Sequence, residues 1–151
     1  MKRPSYEQVI KLQNHLKKDY MQICDMYNYL GNVYEVSKLY KDAKFCYTKI
    51  LTIMANNQDK QHRLIGAIYY YLGRIYSERK KHGEALTNFA KALNWKWKNC
   101  GNDHIEVAKV LHAIGKIHFA MGDIDSSVSQ FYLSLASKKR YLVLISKKLF
   151  K

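Results

Sequence analysis

Residues 69–93 read YYYLGRIYSERKKHGEALTNFAKAL, and two helical periods meet in this stretch. Tyr69, Leu72, Gly73 and Tyr76 fall at i, i+3, i+4 and i+7, while Ala85, Phe89, Ala92 and Leu93 fall at i, i+4, i+7 and i+8. Each set lays one apolar stripe along an α-helix. Between the stripes, Lys80 to Gly83 are polar and turn-permissive. The stretch therefore specifies two helices joined tightly, a helical hairpin.

Working outward, the same hairpin occurs on both sides. Leu72-Gly73 is matched by Leu30-Gly31 before it and Ile114-Gly115 after it, each at a spacing of 42 residues. On that period Tyr27, Tyr69 and Leu111 form one column and Tyr34, Tyr76 and His118 another. Ala43, Ala85 and Ser127 align on the second helices, as do Tyr47, Phe89 and Phe131, and Leu51, Leu93 and Leu135. A fixed period of this length marks stacked repeats, each burying its face on the next. Turns fall at Lys38-Leu39, Lys80 to Gly83 and Gly122-Asp123, and inter-repeat links at 56–61 and 99–103, where Asp103 reads as an N-cap. The expectation is all-α: an α-solenoid of three antiparallel hairpins over 20–61, 62–103 and 104–140, with helices at about 20–37, 40–56, 62–79, 83–98, 104–121 and 124–140. Pro4, Tyr6, Val9, Ile10, Leu12 and Leu16 suggest a separate N-terminal capping helix in 1–19, and 141–151 reads as a short helical tail that extends or caps the last helix, or equally as the start of a fourth hairpin.

Gly31, Gly73 and Gly115 sit in mid-helix, where Gly costs roughly 0.5–1 kcal/mol relative to Ala. Close approach of the second helix offsets that cost, with Ala43 and Ala85 as small partners and Tyr47 and Phe89 as large knobs. Gly73→Leu should overpack this contact by about 1–3 kcal/mol.

With these columns in place the chain resembles the tetratricopeptide repeat (TPR) family over about 23–140, and its 42-residue period is similar to the longer repeat of kinesin light chains. Gly101-Asn102-Asp103-His104, Val107-Ala108, Leu111, Gly115, Gly122-Asp123, Phe131 and Leu135 carry that likeness, with Asp59 and His62 as a weaker echo. Ile50, Ser127 and Ser134 depart from the family pattern by replacing Ala, and the usual linker Pro is absent. The resemblance implies a TPR-like superhelix whose first helices line a concave groove, and an adaptor or scaffold that binds protein.

First-helix positions off the packing columns form three stripes: Asp25, Asn28 and Asn32; Ala67, Tyr70 and Arg74; Lys109, His112 and Lys116. Tyr29 and Tyr71 lie beside them, and aromatics next to polar groups suit peptide recognition. The candidate groove is thus Asn28, Tyr29 and Asn32 in the first repeat, Tyr70, Tyr71 and Arg74 in the second, and Lys109, His112 and Lys116 in the third. Its charge turns basic towards the third, favouring an acidic peptide or helix as partner. The family's chaperone-binding members use a Lys and Asn clamp; the positions one turn apart here are Asn28/Asn32, Tyr70/Arg74 and His112/Lys116, which do not make one.

Charge sets the rival readings. With 26 Lys and Arg against 12 Asp and Glu, a basic outer face for RNA or DNA is the alternative, and a segment of a larger scaffold is another. Clusters at Arg79 to Lys81, at Lys96 and Lys98, and at Lys138 to Arg140 read as cations capping helix C-termini. The six His include no HExxH pair, no Cys–His pair or carboxylate dyad shares a face, and no phosphate loop is present, so neither an enzyme, a metal site nor a cofactor is expected. Cys24, Cys46 and Cys100 lack CxxC spacing and no secretory signal precedes them, which fits a reducing cytoplasm. The longest apolar run, Tyr141 to Ile145, is far short of the roughly 20 residues that span a bilayer.

Overall fold

The structure is a computed structural model that describes residues 5–59, 62–101 and 104–150. The chain divides into two compact units, Met1–Lys60 and Gln61–Lys151.

The first unit is one hairpin of α1 (Tyr6–Val36) and α2 (Tyr40–Asn56). Ser5 starts α1 with a capping box, its side chain accepting from the Gln8 amide while the Gln8 side chain accepts from the Ser5 amide. The separate capping helix expected in 1–19 is not separate: nothing between 17 and 22 breaks the helix, so α1 runs through without interruption. Pro4 and the side chains of Tyr6, Val9, Ile10, Leu12 and Leu16 lie outside the described residues. Cys24 of α1 is buried, as are Ala43, Cys46, Tyr47, Ile50 and Met54 of α2. Tyr47 presses on the Gly31 backbone so closely that a Cβ there would lie 2.5 Å from Tyr47 Cε1. Its hydroxyl sits 2.8 Å from Asn32 Oδ1 and 2.9 Å from Glu35 Oε2, one buried donor shared by two acceptors. Tyr20 donates to Asp59 at 2.8 Å, tying α1 to the chain leaving α2.

The second unit holds α3 (Arg63–Glu78), α4 (His82–Cys100), α5 (Ile105–Ala120) and α6 (Ile124–Leu149). Ala85, Phe89, Ala92 and Leu93 of α4 share one buried cluster with Val107, Val110, Leu111, Ile114 and Ile117 of α5. The glycine contact repeats: a Cβ on Gly73 would meet Phe89 at 2.5 Å, and one on Gly115 would meet Phe131 at 2.8 Å. Gly66 makes a further close approach, to Trp95, at 2.6 Å. The Ser residues that depart from the repeat pattern have a structural use. Ser127 Oγ donates to Gly115 O at 2.9 Å and Ser134 Oγ to Ala108 O at 2.7 Å, so later residues of α6 meet earlier residues of α5 and the pair is antiparallel.

In all three hairpins the first helix ends alike. Lys38, Lys80 and Gly122, spaced by 42, take left-handed φ values of 60°, 57° and 81°. Their amides donate to Glu35, Ser77 and Phe119, and the next amides to Tyr34, Tyr76 and His118, which is the Schellman pattern.

Two charge clusters are corrected. Lys96 is not a solvated cap: only 6 % exposed, it pairs with Glu106 of α5, and α4 continues a full turn beyond it to Cys100. Lys138 to Arg140 lie in mid-helix, since α6 continues through the apolar segment 141–149 as its own extension. Arg79 to Lys81 stand where the sequence reading put them, at the C-terminal end of α3, and form its link to α4.

Candidate functional site

On the second unit, α3 and α5 bring four of the expected groove residues together: Tyr70, Tyr71, Arg74 and Lys109. Tyr70 and the adjacent Tyr71 lie one turn before Arg74 on α3, with the two rings edge-on at 6.2 Å between centroids. The Arg74 guanidinium sits 5.5 Å from the Tyr70 ring and 5.1 Å from Tyr71. Lys109 Nζ reaches over from α5 to 6.0 Å from the same Tyr70 ring. Two cations therefore converge on one half-buried aromatic, held from beneath by Phe89 at 5.6 Å. His112 and Lys116, one turn and two turns along α5 from Lys109, are exposed, and the His112 ring packs on Phe131 at 5.3 Å.

The charges behind this face are fixed by Glu106. Its carboxylate bonds the buried Lys96 ammonium at 3.2 Å and pairs with Lys109 at 3.6 Å. Burial pushes the Glu106 carboxyl up, but the two ammonium groups and their hydrogen bonds outweigh it and hold it below the usual carboxylate range. Lys109 is thus anchored at its own helix while its charge faces Tyr70.

On the first unit, Tyr29 stands 72 % exposed on α1, and Asn28 is half-buried with Oδ1 bonded to nothing described. The Asn32 carbonyl is engaged by Tyr47, which makes Asn32 a support of its own hairpin as much as a surface group.

A cleft of about 640 Å³ opens between α5 and α6, lined among others by Glu106, Lys109, His112, Phe131, Leu135 and Lys138. Sequence reading missed Glu106 and Lys138 here. Glu106 stands three residues before Lys109, a spacing that signals a helical ion pair, but its bond to Lys96 is tertiary and left no local trace.

Asp103 lies outside the described residues, and the N-cap of α5 is His104, whose Nδ1 accepts from the Glu106 amide at 3.1 Å. His62 caps α3 in the same way through the Leu64 amide, also at 3.1 Å. The two His are 42 residues apart, a column the sequence contained. Among the described residues, no group of three or more His, Cys, Asp or Glu could hold a metal ion, and no helix is long and apolar enough to cross a membrane.

The repeated hairpin, with its glycine-on-aromatic contact and shared helix ending, defines a helical repeat protein. Residues 22–96 match the family model described as Tetratricopeptide repeat, and the chain belongs to the tetratricopeptide repeat family. The crystal structure of BtubC (BKLC) from P. vanneervenii is similar in fold, with a TM-score of 0.73, 22% identity, and coverage of 77% of this chain and 46% of that one. The chain thus spans under half the length of that structure. No curated protein matches the sequence. Tetratricopeptide repeats generally mediate protein–protein interaction.

Proposed function

We propose that this chain is a protein-interaction adaptor that takes an acidic peptide or helix on the α3/α5 face of its second unit. The observation that carries the reading is the convergence of Arg74 and Lys109 on the Tyr70 ring, with Tyr71 beside it. A peptide carboxylate approaching Arg74 meets a planar donor fork already oriented by two rings, so little side-chain freedom remains to be lost. The rings offer apolar contact to the neighbouring peptide residue. His112 and Lys116 continue the basic edge along α5. In the first unit, Asn28, Tyr29 and Asn32 are the matching positions on α1. Such a site needs no cofactor, and the chemistry it favours is recognition.

Selection from a display library of acidic peptides tests this. Anisotropy of a selected peptide should show at least a tenfold loss of affinity on Arg74→Glu plus Lys116→Glu, and a similar loss on Tyr70→Ala. Salt distinguishes a nucleic-acid site: affinity for an aromatic-anchored peptide should fall modestly with rising salt, where binding through many phosphates falls by orders of magnitude. Equal affinity for wild type and the charge-reversed variant removes the proposed face.

A further inference from the structure

The 42-residue register shows what the cleft between α5 and α6 is shaped to receive. Phe131, Ser134, Leu135 and Lys138 on its α6 wall are the register copies of Phe89, Ala92, Leu93 and Lys96 on α4. On α4 these four positions are covered: Phe89 is 2 % exposed, Ala92 0 %, Leu93 8 % and Lys96 6 %. Phe89, Ala92 and Leu93 share a buried cluster with Val107, Val110, Ile114 and Ile117 of α5, and Lys96 pairs with Glu106 there. On α6 the copy of that surface is open in part: Ser134 is buried against α5 and Phe131 half-buried, but Lys138 is exposed and Leu135 is 46 % exposed, as is Val128, the copy of Leu86.

The helix that would cover it is present in the same chain. Moving back two registers from Val107, Val110, Ile114 and Ile117 gives Ile23, Met26, Leu30 and Val33 on α1. Where the α5 residues are buried, these four are exposed, from 37 % at Ile23 to 66 % at Met26. The α1 face therefore has the shape and apolar character of the α5 face that seals α4, and it has no cover.

Helix lengths point the same way. In the α4/α5 contact the end of one helix meets the start of the next, as Lys96 and Glu106 show. Register from Arg63 would start α1 at residue 21, yet it starts at Tyr6; register from Cys100 would end α6 at 142, yet it runs to Leu149. At 1.5 Å per residue the extensions are about 22 Å and about 10 Å, and docking in the α4/α5 manner places them at the same end, alongside each other. The α6 extension carries exposed Leu142 and Leu149, one heptad and two heptads beyond Leu135.

We propose that copies of this chain associate head to tail, α1 of one copy seating on the open face of α6 of the next in the geometry of α4 and α5. The contact is heterologous, so each copy uses two different faces and copies add into a ring or an open chain. Because every copy is strongly basic, rising salt strengthens it.

Sedimentation of the 151-residue chain from low to high micromolar concentration tests this, with two variants: a head variant, Met26→Glu plus Leu30→Glu, and a tail variant, Val128→Glu plus Leu135→Glu. Wild type should grow past the dimer as concentration rises. Each variant alone should stay monomeric, while their equimolar mixture should form a one-to-one complex, since each retains the face the other lost. The substituted side chains are already in water, and circular dichroism confirms folding. Wild type that stays monomeric at the highest concentration overturns the proposal. A head or tail variant that still self-associates alone also overturns it, because that contact is not head to tail. Arg74→Glu, on the α3 side of the peptide face and outside the cleft, should leave the assembly unchanged, so its loss of peptide affinity and any loss of assembly are read separately.

Discussion

Gly73→Ala separates helix propensity from packing with opposite signs. In an open helix, Ala is better than Gly by roughly 0.5–1 kcal/mol. At Gly73, however, the new methyl would lie 2.5 Å from Phe89 Cδ1 and Cε1 and 2.9 Å from Cγ. Carbon pairs rest at about 3.5–4.0 Å, so the ring or the helix must retreat by about 1 Å. The ring has no easy escape, because Cγ is its attachment point and Phe89 is 2 % exposed. Overpacking of that kind costs about 1–3 kcal/mol, so the net change is a destabilisation of roughly 0.5–2 kcal/mol despite the better helix former. Gly83→Ala is the control, since a Cβ there meets nothing within 4 Å and the change should be neutral or stabilising. Urea unfolding followed by circular dichroism reads both. Placing Gly73→Ala on a Phe89→Leu background should remove most of the penalty, giving a coupling of about 1–2 kcal/mol. If Gly73→Ala stabilises as Gly83→Ala does, or if the coupling is zero, the glycine-on-aromatic contact is not what fixes these glycines.

Three further outcomes are expected. Lys80→Gly should raise stability by about 0.5–1 kcal/mol in the same unfolding assay, because Lys80 holds φ 57° at a helix ending where the third hairpin uses Gly122. Glu106→Gln should destabilise by about 1–3 kcal/mol by stranding the buried Lys96 ammonium, a figure kept below that of a fully buried pair because Glu106 is itself 37% exposed. With the Glu106 carboxyl held below its ordinary 4.5, this stability is fully present above that pH and is lost as pH falls through the depressed value. The melting-temperature gap between wild type and variant should thus be flat at neutral pH and close on acidification. Alkylation of the native protein should modify exposed Cys100 first, while Cys24 and Cys46, buried and with thiols pushed up chiefly by desolvation, should react only on unfolding.

Fold was legible where the chain repeats itself. The glycine and aromatic columns named the contacting pairs, and Gly31 on Tyr47, Gly73 on Phe89 and Gly115 on Phe131 are those pairs. Helix ends were less legible. A period says where a stripe repeats and is silent on how far a helix runs beyond it, so α1 and α6 both exceeded their expected bounds. Lys96 was misread because a cation near a helix end and a cation facing a neighbouring helix look alike until a partner such as Glu106 is placed. Comparing columns would have helped in one case: His62 and His104 share a register and a capping role, whereas neither alone gives a sign of capping. The α3/α5 face was half legible. The stripes put Tyr70 and Arg74 together by helical spacing, but only tertiary packing brings Lys109 over the same ring.

Photo-crosslinking of a display-selected acidic peptide, read residue by residue by mass spectrometry, tests the proposed recognition face most directly. Crosslinks concentrated on Tyr70, Tyr71, Lys109 and His112, and lost on Arg74→Glu plus Lys116→Glu, are the expected result. Crosslinks confined to α4 or to the outward side of α6, unaffected by that charge reversal, would contradict it.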